Sequence, residues 1–404
     1  MLHWAMNKRT LAVLAACFAT VFISYAIRYG YGIFLPEMLP TLGISKTGAG
    51  MIYSSYFIAY TVLSPVLGLL GDRYDARVII SLFTAILGIG TFLMAYSSSV
   101  LEASLYFTLT GIGASACWAP VTALAQRWTS DKRRGTTLGF IDAGSALGAI
   151  CSGAAVPLAV KAFGWGAGWM SLGSMGLLVA IINYTVIRNR PAEQSNPVSL
   201  PPESVIEPLT KIYAKLLRDT RFWLFGLAYL LVSFSIIIPF TFVSTFAVEE
   251  LALSYTTAAS LITVIGITAL AGKLLLGTLS DRVGRIRVIL FCMILIAAGS
   301  LGMAYANNAM ILFIAVAVFG IGEGAIWTLY AAAASDYFSK KHTGSIVGLW
   351  TVYLGIGSLL SPIFAGWIAD ATDTLMWSFL LAVAAAVVAL ILLIPIWRQS
   401  PTPQ

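Results

Sequence analysis

Runs of about twenty apolar residues recur along the whole 404-residue chain. At about 1.5 Å per residue, each is long enough to cross a hydrocarbon core about 30 Å thick. Backbone in lipid must satisfy its own hydrogen bonds, so such runs fold as helices. We place twelve spans, roughly at 11–36, 47–70, 77–97, 101–126, 136–160, 166–187, 222–248, 255–280, 286–306, 309–335, 343–369 and 374–397. Charged residues make up 10% of the chain, against about 25% in a soluble domain. The short alternating segments of a membrane β-barrel are not present. No connecting segment is long enough to hold a soluble domain, and the first apolar run is too long for a cleavable signal core.

Charge placement orients the spans. With both termini on one side, Lys46 and Lys161 fall on the opposite side and Arg28 and Lys273 fall inside spans. The other Lys and Arg, such as Lys8, Arg9, Arg127, Lys132–Arg134, Arg285 and Lys340–Lys341, all lie on the side of the termini. Basic loops stay in the cytoplasm, so both termini are expected there, with the protein multi-pass in the inner (plasma) membrane. The sequence pI near 9.2 then reflects loops facing anionic lipid and calls for no nucleic acid. Cys17, Cys117, Cys151 and Cys292 are scattered through apolar spans and read as small core residues. No spacing of Cys or His suggests a metal site, and no cofactor is expected.

The chain repeats itself at an offset of 209 residues. "GLLGDRYDAR" from Gly68 returns as "GTLSDRVGRIR" from Gly277, so that Asp72 and Arg73 correspond to Asp281 and Arg282. "GIGASACW" (Gly111–Trp118) returns as "GIGEGAIW" (Gly320–Trp327), and "RGTTLG" (Arg134–Gly139) as "TGSIVG" (Thr343–Gly348). One offset at three places means two homologous six-helix halves, parallel because six spans restore the original orientation. The expected organisation is an N-terminal bundle 1–188, a linker 189–221 rich in proline and charge, and a C-terminal bundle 222–404. The linker has room for an amphipathic helix near 206–219.

Two parallel six-helix halves with "GxxxDRxxxR" between spans 2 and 3 resemble the major facilitator superfamily, over essentially the whole chain. The resemblance implies an all-α fold of two pseudo-symmetric bundles that rock about a site near the bilayer midplane. It also implies that Asp72, Arg73, Arg77, Arg134, Asp281, Arg282 and Arg285 form a conformational gate, in which arginines pair with acids across the halves; the plain alternative is a tight basic turn. Asp75 stands where the motif has glycine, whereas Gly284 keeps it.

Within that superfamily, "KRRGTTLGFIDAGSALG" (Lys132–Gly148) resembles the span 5 signature of monocarboxylate transporters. "SYAIRYGYGIFLPEM" (Ser24–Met38) resembles span 1 of bacterial members of the lactate/proton symporter type, including relatives of oxalate:formate antiporters. That family carries a cation in span 8 with a carboxylate one turn earlier, and a lysine in span 1. Lys273 matches the span 8 cation, Ala269 stands in place of the carboxylate, and Tyr29 aligns with the lysine with Arg28 beside it.

A charge inside a span costs about 2.5–3.5 kcal/mol on insertion scales and is a functional candidate by default. There are four: Arg28 in span 1, Asp142 in span 5, Lys273 in span 8 and Glu323 in span 10. The resemblance makes all four spans cavity-lining. Asp142 and Lys273 lie at matching depths, about 12 Å in from the basic surface, with opposite signs on spans that face each other in this fold. They are expected to pair, in a contact that an anionic substrate or a proton could break. Lys273 is the candidate for holding a carboxylate. Arg28 either binds the anion or fixes span 1 by pairing with Glu323 or with backbone carbonyls. Asp142 and Glu323 are the proton-coupling candidates, and Tyr29, Trp118, Trp327, Tyr330 and Tyr353 are further lining candidates, each with core packing as its alternative.

The function expected is proton-coupled transport of a small monocarboxylate such as L-lactate or pyruvate, by a protein acting as a monomer in the bilayer with protons as coupling ion. The alternative in the same class is a carboxylate exchanger of the oxalate:formate type. Drug efflux is disfavoured because span 5 has "AGSALGA" in place of the Gly-Pro-x-x-Gly-Gly stretch of drug/proton antiporters. An enzyme would need clustered His, Cys or paired acids near the surface, and none is found. A membrane receptor or sensor would usually carry an extra module, and the loops are short.

Overall fold

The structure, a computed structural model, describes residues 8–130, 133–189, 216–338 and 343–397, the side chains of 69–73 and 343–345 excepted. Among these residues there is no strand. The spans, numbered 1 to 12, are Lys8–Leu42, Lys46–Arg73, Ala76–Leu93 (continued by a 3-10 turn at Met94–Tyr96), Val100–Ala114 with Ala119–Arg127, Arg134–Phe163, Trp165–Val186, Thr220–Glu249, Tyr255–Val283, Arg285–Ala304, Ala309–Tyr337, Thr343–Thr372 and Met376–Trp397. Twelve helical segments are long and apolar enough to cross a membrane. The residues from 190 to 215, including most of the expected amphipathic helix, lie outside the described residues, as do Lys132, Lys340 and Lys341.

The repeat extends to the helix caps. Orphan N–H groups at a helix start take a side-chain acceptor. At the end opposite the termini, hereafter the far end, Ser99 accepts from the Glu102 N–H, and Asn308, 209 residues on, accepts from the Ile311 N–H. Ser45 and Ser254 form the same kind of pair, accepting from the Gly48 and Thr257 N–H groups. At the basic end, Asp75 caps span 3 by accepting from the Arg77 N–H. Its counterpart Gly284 starts span 9 at φ +98°, a conformation glycine adopts without steric cost. The departure of Asp75 from the motif is therefore a change of cap: Asp75 sits at φ −65° and supplies a carboxylate instead.

Packing follows the same symmetry. Span 1 packs on 5 and 6, span 2 on 4, and span 3 on 4 and 6; correspondingly, span 7 packs on 11 and 12, span 8 on 10, and span 9 on 10 and 12. The halves meet through span 1 against 7, span 2 against 11 and span 5 against 8. The seam is glycine-tight toward the far end. A Cβ on Gly32 would run into the Phe240 carbonyl of span 7, one on Gly50 into the Pro362 carbonyl of span 11, and one on Gly366 into the Lys46 carbonyl of span 2. Polar links reinforce it. Asp370 of span 11 accepts from the Lys46 and Thr47 N–H groups that begin span 2, at 3.0 and 2.8 Å, and from the Thr47 hydroxyl. Lys46 Nζ pairs with Glu249 at 2.9 Å.

At the basic end, a methyl on Gly135, Gly139, Gly277 or Gly348 would meet nothing within 4 Å. Among the described residues, the bundle is sealed at the far end and open around these four glycines at the basic end. One expectation is corrected here: Cys17, Cys117 and Cys292 are buried, but Cys151 is exposed on the outer face of span 5 and is not a core residue.

Candidate functional site

The four intramembrane charges converge on the region between the halves, and they do so asymmetrically. The repeat counterparts of Arg28, Asp142, Lys273 and Glu323 are Ile237, Thr351, Ser64 and Ala114, all uncharged. The scaffold is duplicated; the charge is not.

Lys273 of span 8 reaches across to span 5. Its Nζ lies 2.9 Å from Asp142 Oδ2 and donates to Ser145 Oγ at 2.8 Å and to the Asp142 carbonyl at 3.3 Å. The Lys273 and Asp142 side chains are 14% and 17% exposed, so the pair is largely desolvated. On the sealed side of this pair, spans 5 and 8 interlock, with Gly153 against Thr263 and Gly266 against Ile150. On its other side lie Gly139 and Gly277, with open space around them. The pair sits where the sealed seam ends.

Glu323 is 4% exposed. Its Oε1 accepts from Trp327 Nε1, one turn on, at 3.1 Å, and from Tyr29 Oη of the other half at 3.4 Å. Arg28 is 6% exposed and, among the described residues, has no carboxylate within ion-pair distance. Its Nε has no hydrogen-bond partner. Its guanidinium lies against four rings instead: Phe57 at 4.8 Å, Tyr25 and Tyr60 at 5.6 Å and Tyr29 at 5.8 Å. A buried charge without a counter-ion is costly, and cation–π contacts recover only about 0.5–2 kcal/mol. Arg28 is thus a buried cation whose neighbours are aromatic rings. Its alternative role, pairing with Glu323, is not what the structure shows.

Span 4 is broken in mid-membrane. Its helix stops at Ala114, turns through Ser115–Trp118 and resumes at Ala119 with Pro120 in its first turn. Proline at a helix start costs nothing and prevents continuation from the preceding helix. The break places Trp118 edge-on to Tyr25, with ring centroids 6.4 Å apart. In the other half, Tyr229 lies 5.5 Å from Trp327 and 4.4 Å from Tyr330.

Two of the expected lining residues are elsewhere. Tyr330 is 1% exposed inside the C-terminal half, against Phe225, Tyr229 and Trp350. Tyr353 packs on Phe222, Trp223 and Gly226 of span 7. Tyr330 stands seven positions, about 10 Å along the helix, from Glu323, and Tyr353 faces span 7 of its own half. The expected gate also differs. Arg77 donates to the Tyr184 carbonyl at 2.6 Å and stacks on the Tyr184 ring; Arg285 pairs with Asp281 at 2.6 Å and with Asp336 at 3.5 Å. These partners all belong to the same half as the arginine. With the basic end open around its glycines, these two arginines turn inward. Arg282 and Arg134 are exposed, and the side chains of Asp72 and Arg73 lie outside the described residues.

The Major Facilitator Superfamily model matches residues 17–259 and 225–404, and the chain belongs to that superfamily. Among its relatives, the hexuronate transporter of Bacillus subtilis is 24% identical, the match covering 95% of this chain and 93% of that protein. The membrane sensor protein UhpC of Escherichia coli is 26% identical over 95% of this chain and 92% of its own. The fold is similar to that of a bacterial homologue of the human lysosomal transporter Spinster in an inward-facing, occupied conformation. That likeness has a TM-score of 0.81 at 17% identity and covers 98% of both chains. The chain is a multi-pass, bilayer-embedded protein of the secondary-transporter type and not an enzyme.

Proposed function

We propose that this protein carries a monocarboxylate anion together with a proton, alternating access between the two faces of the inner membrane, with its termini in the cytoplasm and as a monomer. One observation carries the reading: the Lys273–Asp142 ion pair joins the halves at 2.9 Å at the place where the sealed seam ends. A carboxylate drawn in by Arg28 and Lys273 competes with Asp142 for the ammonium group. Asp142 is then left without its counter-charge in a poorly hydrated site and takes a proton, because burial disfavours an unpaired carboxylate. Anion and proton load together, and the site becomes neutral enough to pass through the membrane midplane. Glu323, already holding hydrogen bonds from Tyr29 and Trp327, is the second place a proton can reside.

Uptake into liposomes of purified protein tests this, using labelled lactate and pyruvate under an imposed pH step. Liposomes bearing Lys273→Ala supply the background. One pH unit corresponds to about 1.4 kcal/mol per proton and roughly tenfold accumulation. Accumulation that ignores the pH step and requires preloaded anion assigns the protein to carboxylate exchange instead. The likeness to a membrane sensor favours a second reading, in which the anion is bound and not moved. Tight binding with no flux above background would establish that one.

A further inference from the structure

We propose that the anion this site is shaped for carries a flat aromatic body, so that the substrate class is arylcarboxylates. This inference rests on the carboxylate reading above and narrows it. Three observations carry it.

First, the sole buried intramembrane cation without a carboxylate partner among the described residues, Arg28, is embedded in rings, with Tyr25, Tyr29, Phe57 and Tyr60 about its guanidinium. A carboxylate docked on Arg28 places whatever it is attached to among aromatic faces.

Second, both halves present rings to the space between them. Tyr25 of span 1 lies against the Arg28 guanidinium and edge-on to Trp118, and Tyr229 of span 7 lies edge-on to Trp327. The repeat-related Trp118 and Trp327 come from opposite halves, next to Tyr25 and Tyr229, and both are only partly buried. A three-carbon acid on Arg28 would leave these faces in water; a ring would cover them by stacking and edge contacts.

Third, the described spans offer few side-chain amides for a polyhydroxylated acid. A sugar acid brings several hydroxyl groups, each costly to dehydrate unless it gains a partner. Side-chain amides are the usual paired donors and acceptors. The described spans contain two, Gln126 and Asn183. Asn183 is fully buried and donates to Thr20 and Thr84, while Gln126 is next to the basic-end terminus of span 4.

Direct binding decides the matter, because uncharged arylcarboxylic acids cross lipid unaided and blur uptake measurements. Calorimetry on the full-length protein in detergent would compare benzoate, cyclohexanecarboxylate, lactate and glucuronate. Benzoate is expected to bind at least tenfold more tightly than lactate or glucuronate and about threefold more tightly than cyclohexanecarboxylate. Trp118→Leu should weaken benzoate three- to tenfold, as expected for loss of one ring contact, and change lactate less than twofold; Trp118→Phe should recover most of the benzoate affinity. Lactate or glucuronate binding as tightly as benzoate overturns the arylcarboxylate proposal and leaves the carboxylate reading intact. No measurable binding of any of the four to protein that unfolds cooperatively on heating overturns both. The comparison among ligands uses the unaltered protein, so it stands even if a tryptophan variant misfolds.

Discussion

The two ends of the bundle use glycine to opposite effect. At the far end, Gly32, Gly50 and Gly366 lie where a single methyl would strike the backbone of the other half. At the basic end, Gly135, Gly139, Gly277 and Gly348 have room for one. Glycine inside a helix costs about 0.5–1 kcal/mol relative to alanine. At the far end, close packing offsets that cost in this conformation. At the basic end nothing here offsets it. The difference is understandable if those glycines are used when the basic end closes and the far end opens, as rocking of two repeats requires. Gly139 and Gly348 are 209 residues apart, and both have room for a methyl, so at this pair the spare room is duplicated along with the fold.

Lys273 marks the border between the two regimes, and removing it has the largest expected effect. Lys273→Ala leaves Asp142 buried without a counter-charge and removes one cation from the anion site; breaking a buried pair from one side costs about 3–5 kcal/mol. Proton-driven accumulation should fall by at least a hundredfold, with the variant still extracted and purified as a folded protein. Retention of more than a tenth of the wild-type rate would remove Lys273 from the mechanism. Lys273→Arg should recover part of it, since a planar fork and an ammonium group do not satisfy Asp142 and Ser145 in the same way.

The glycine comparison itself is tested by the same substitution at both ends. Gly32→Leu forces a side chain into the Phe240 carbonyl and should cost about 1–3 kcal/mol, shifting the protein about five- to hundredfold away from the sealed far end. Gly139→Leu meets nothing at its Cβ in the conformation described and should penalise closing of the basic end. Spin labels at Ser98 and Asn307, both exposed at the far end, in a Cys151→Ser background, would report the two shifts as opposite changes in distance distribution. A shift in the same direction from both variants would contradict the assignment of the basic-end glycines to the closed state.

Asp142→Asn separates coupling from binding. The amide still accepts a hydrogen bond from Lys273 but takes no proton, so anion exchange should survive within about threefold while accumulation under a pH step falls about tenfold, the equivalent of one uncoupled proton per pH unit. Equal loss of both activities would place Asp142 in structure and move coupling to Glu323.

The spans, the repeat and the Asp142–Lys273 contact were legible in the sequence because each is a matter of counting. Hydrophobic length gives a span, a constant offset gives two halves, and equal depth with opposite sign on facing helices gives a pair. What stayed hidden depends on rotation and on distant contacts. Trp327, one turn from Glu323, shares its face as expected; Tyr330, a further turn away, is in the core of its own half. The span 4 break was masked because "ASACWAP" is as apolar as the helices around it and only Pro120 hints at a new start. The rings around Arg28 come from two spans, and in sequence Phe57 and Tyr60 are ordinary membrane aromatics.

Asp370 was invisible for the same reason: its partners are 323 and 324 residues away. It is the most local way to probe the sealed end, and its expected effect is the smallest. Its carboxylate accepts from the Lys46 and Thr47 N–H groups and the Thr47 hydroxyl, so one half supplies the N-terminal cap for a helix of the other. An anion at a helix N-terminus adds about 0.3–1 kcal/mol at an exposed position. An exposed ion pair such as the neighbouring Lys46–Glu249 contact adds typically 0.2–1 kcal/mol. When the far end opens, span 2 and Asp370 must part, and water replaces the cap. Asp370→Asn keeps one acceptor oxygen and removes the charge, so it should raise the far-end-open population by about two- to fivefold, read from the Ser98–Asn307 label pair. Asp370→Ala, which removes every acceptor, should move it further in the same direction, by the roughly 1 kcal/mol typical of a lost cap. If both variants leave the distribution unchanged, the far end is held by its glycine seam alone, and the comparison between the two ends reduces to close packing against open space.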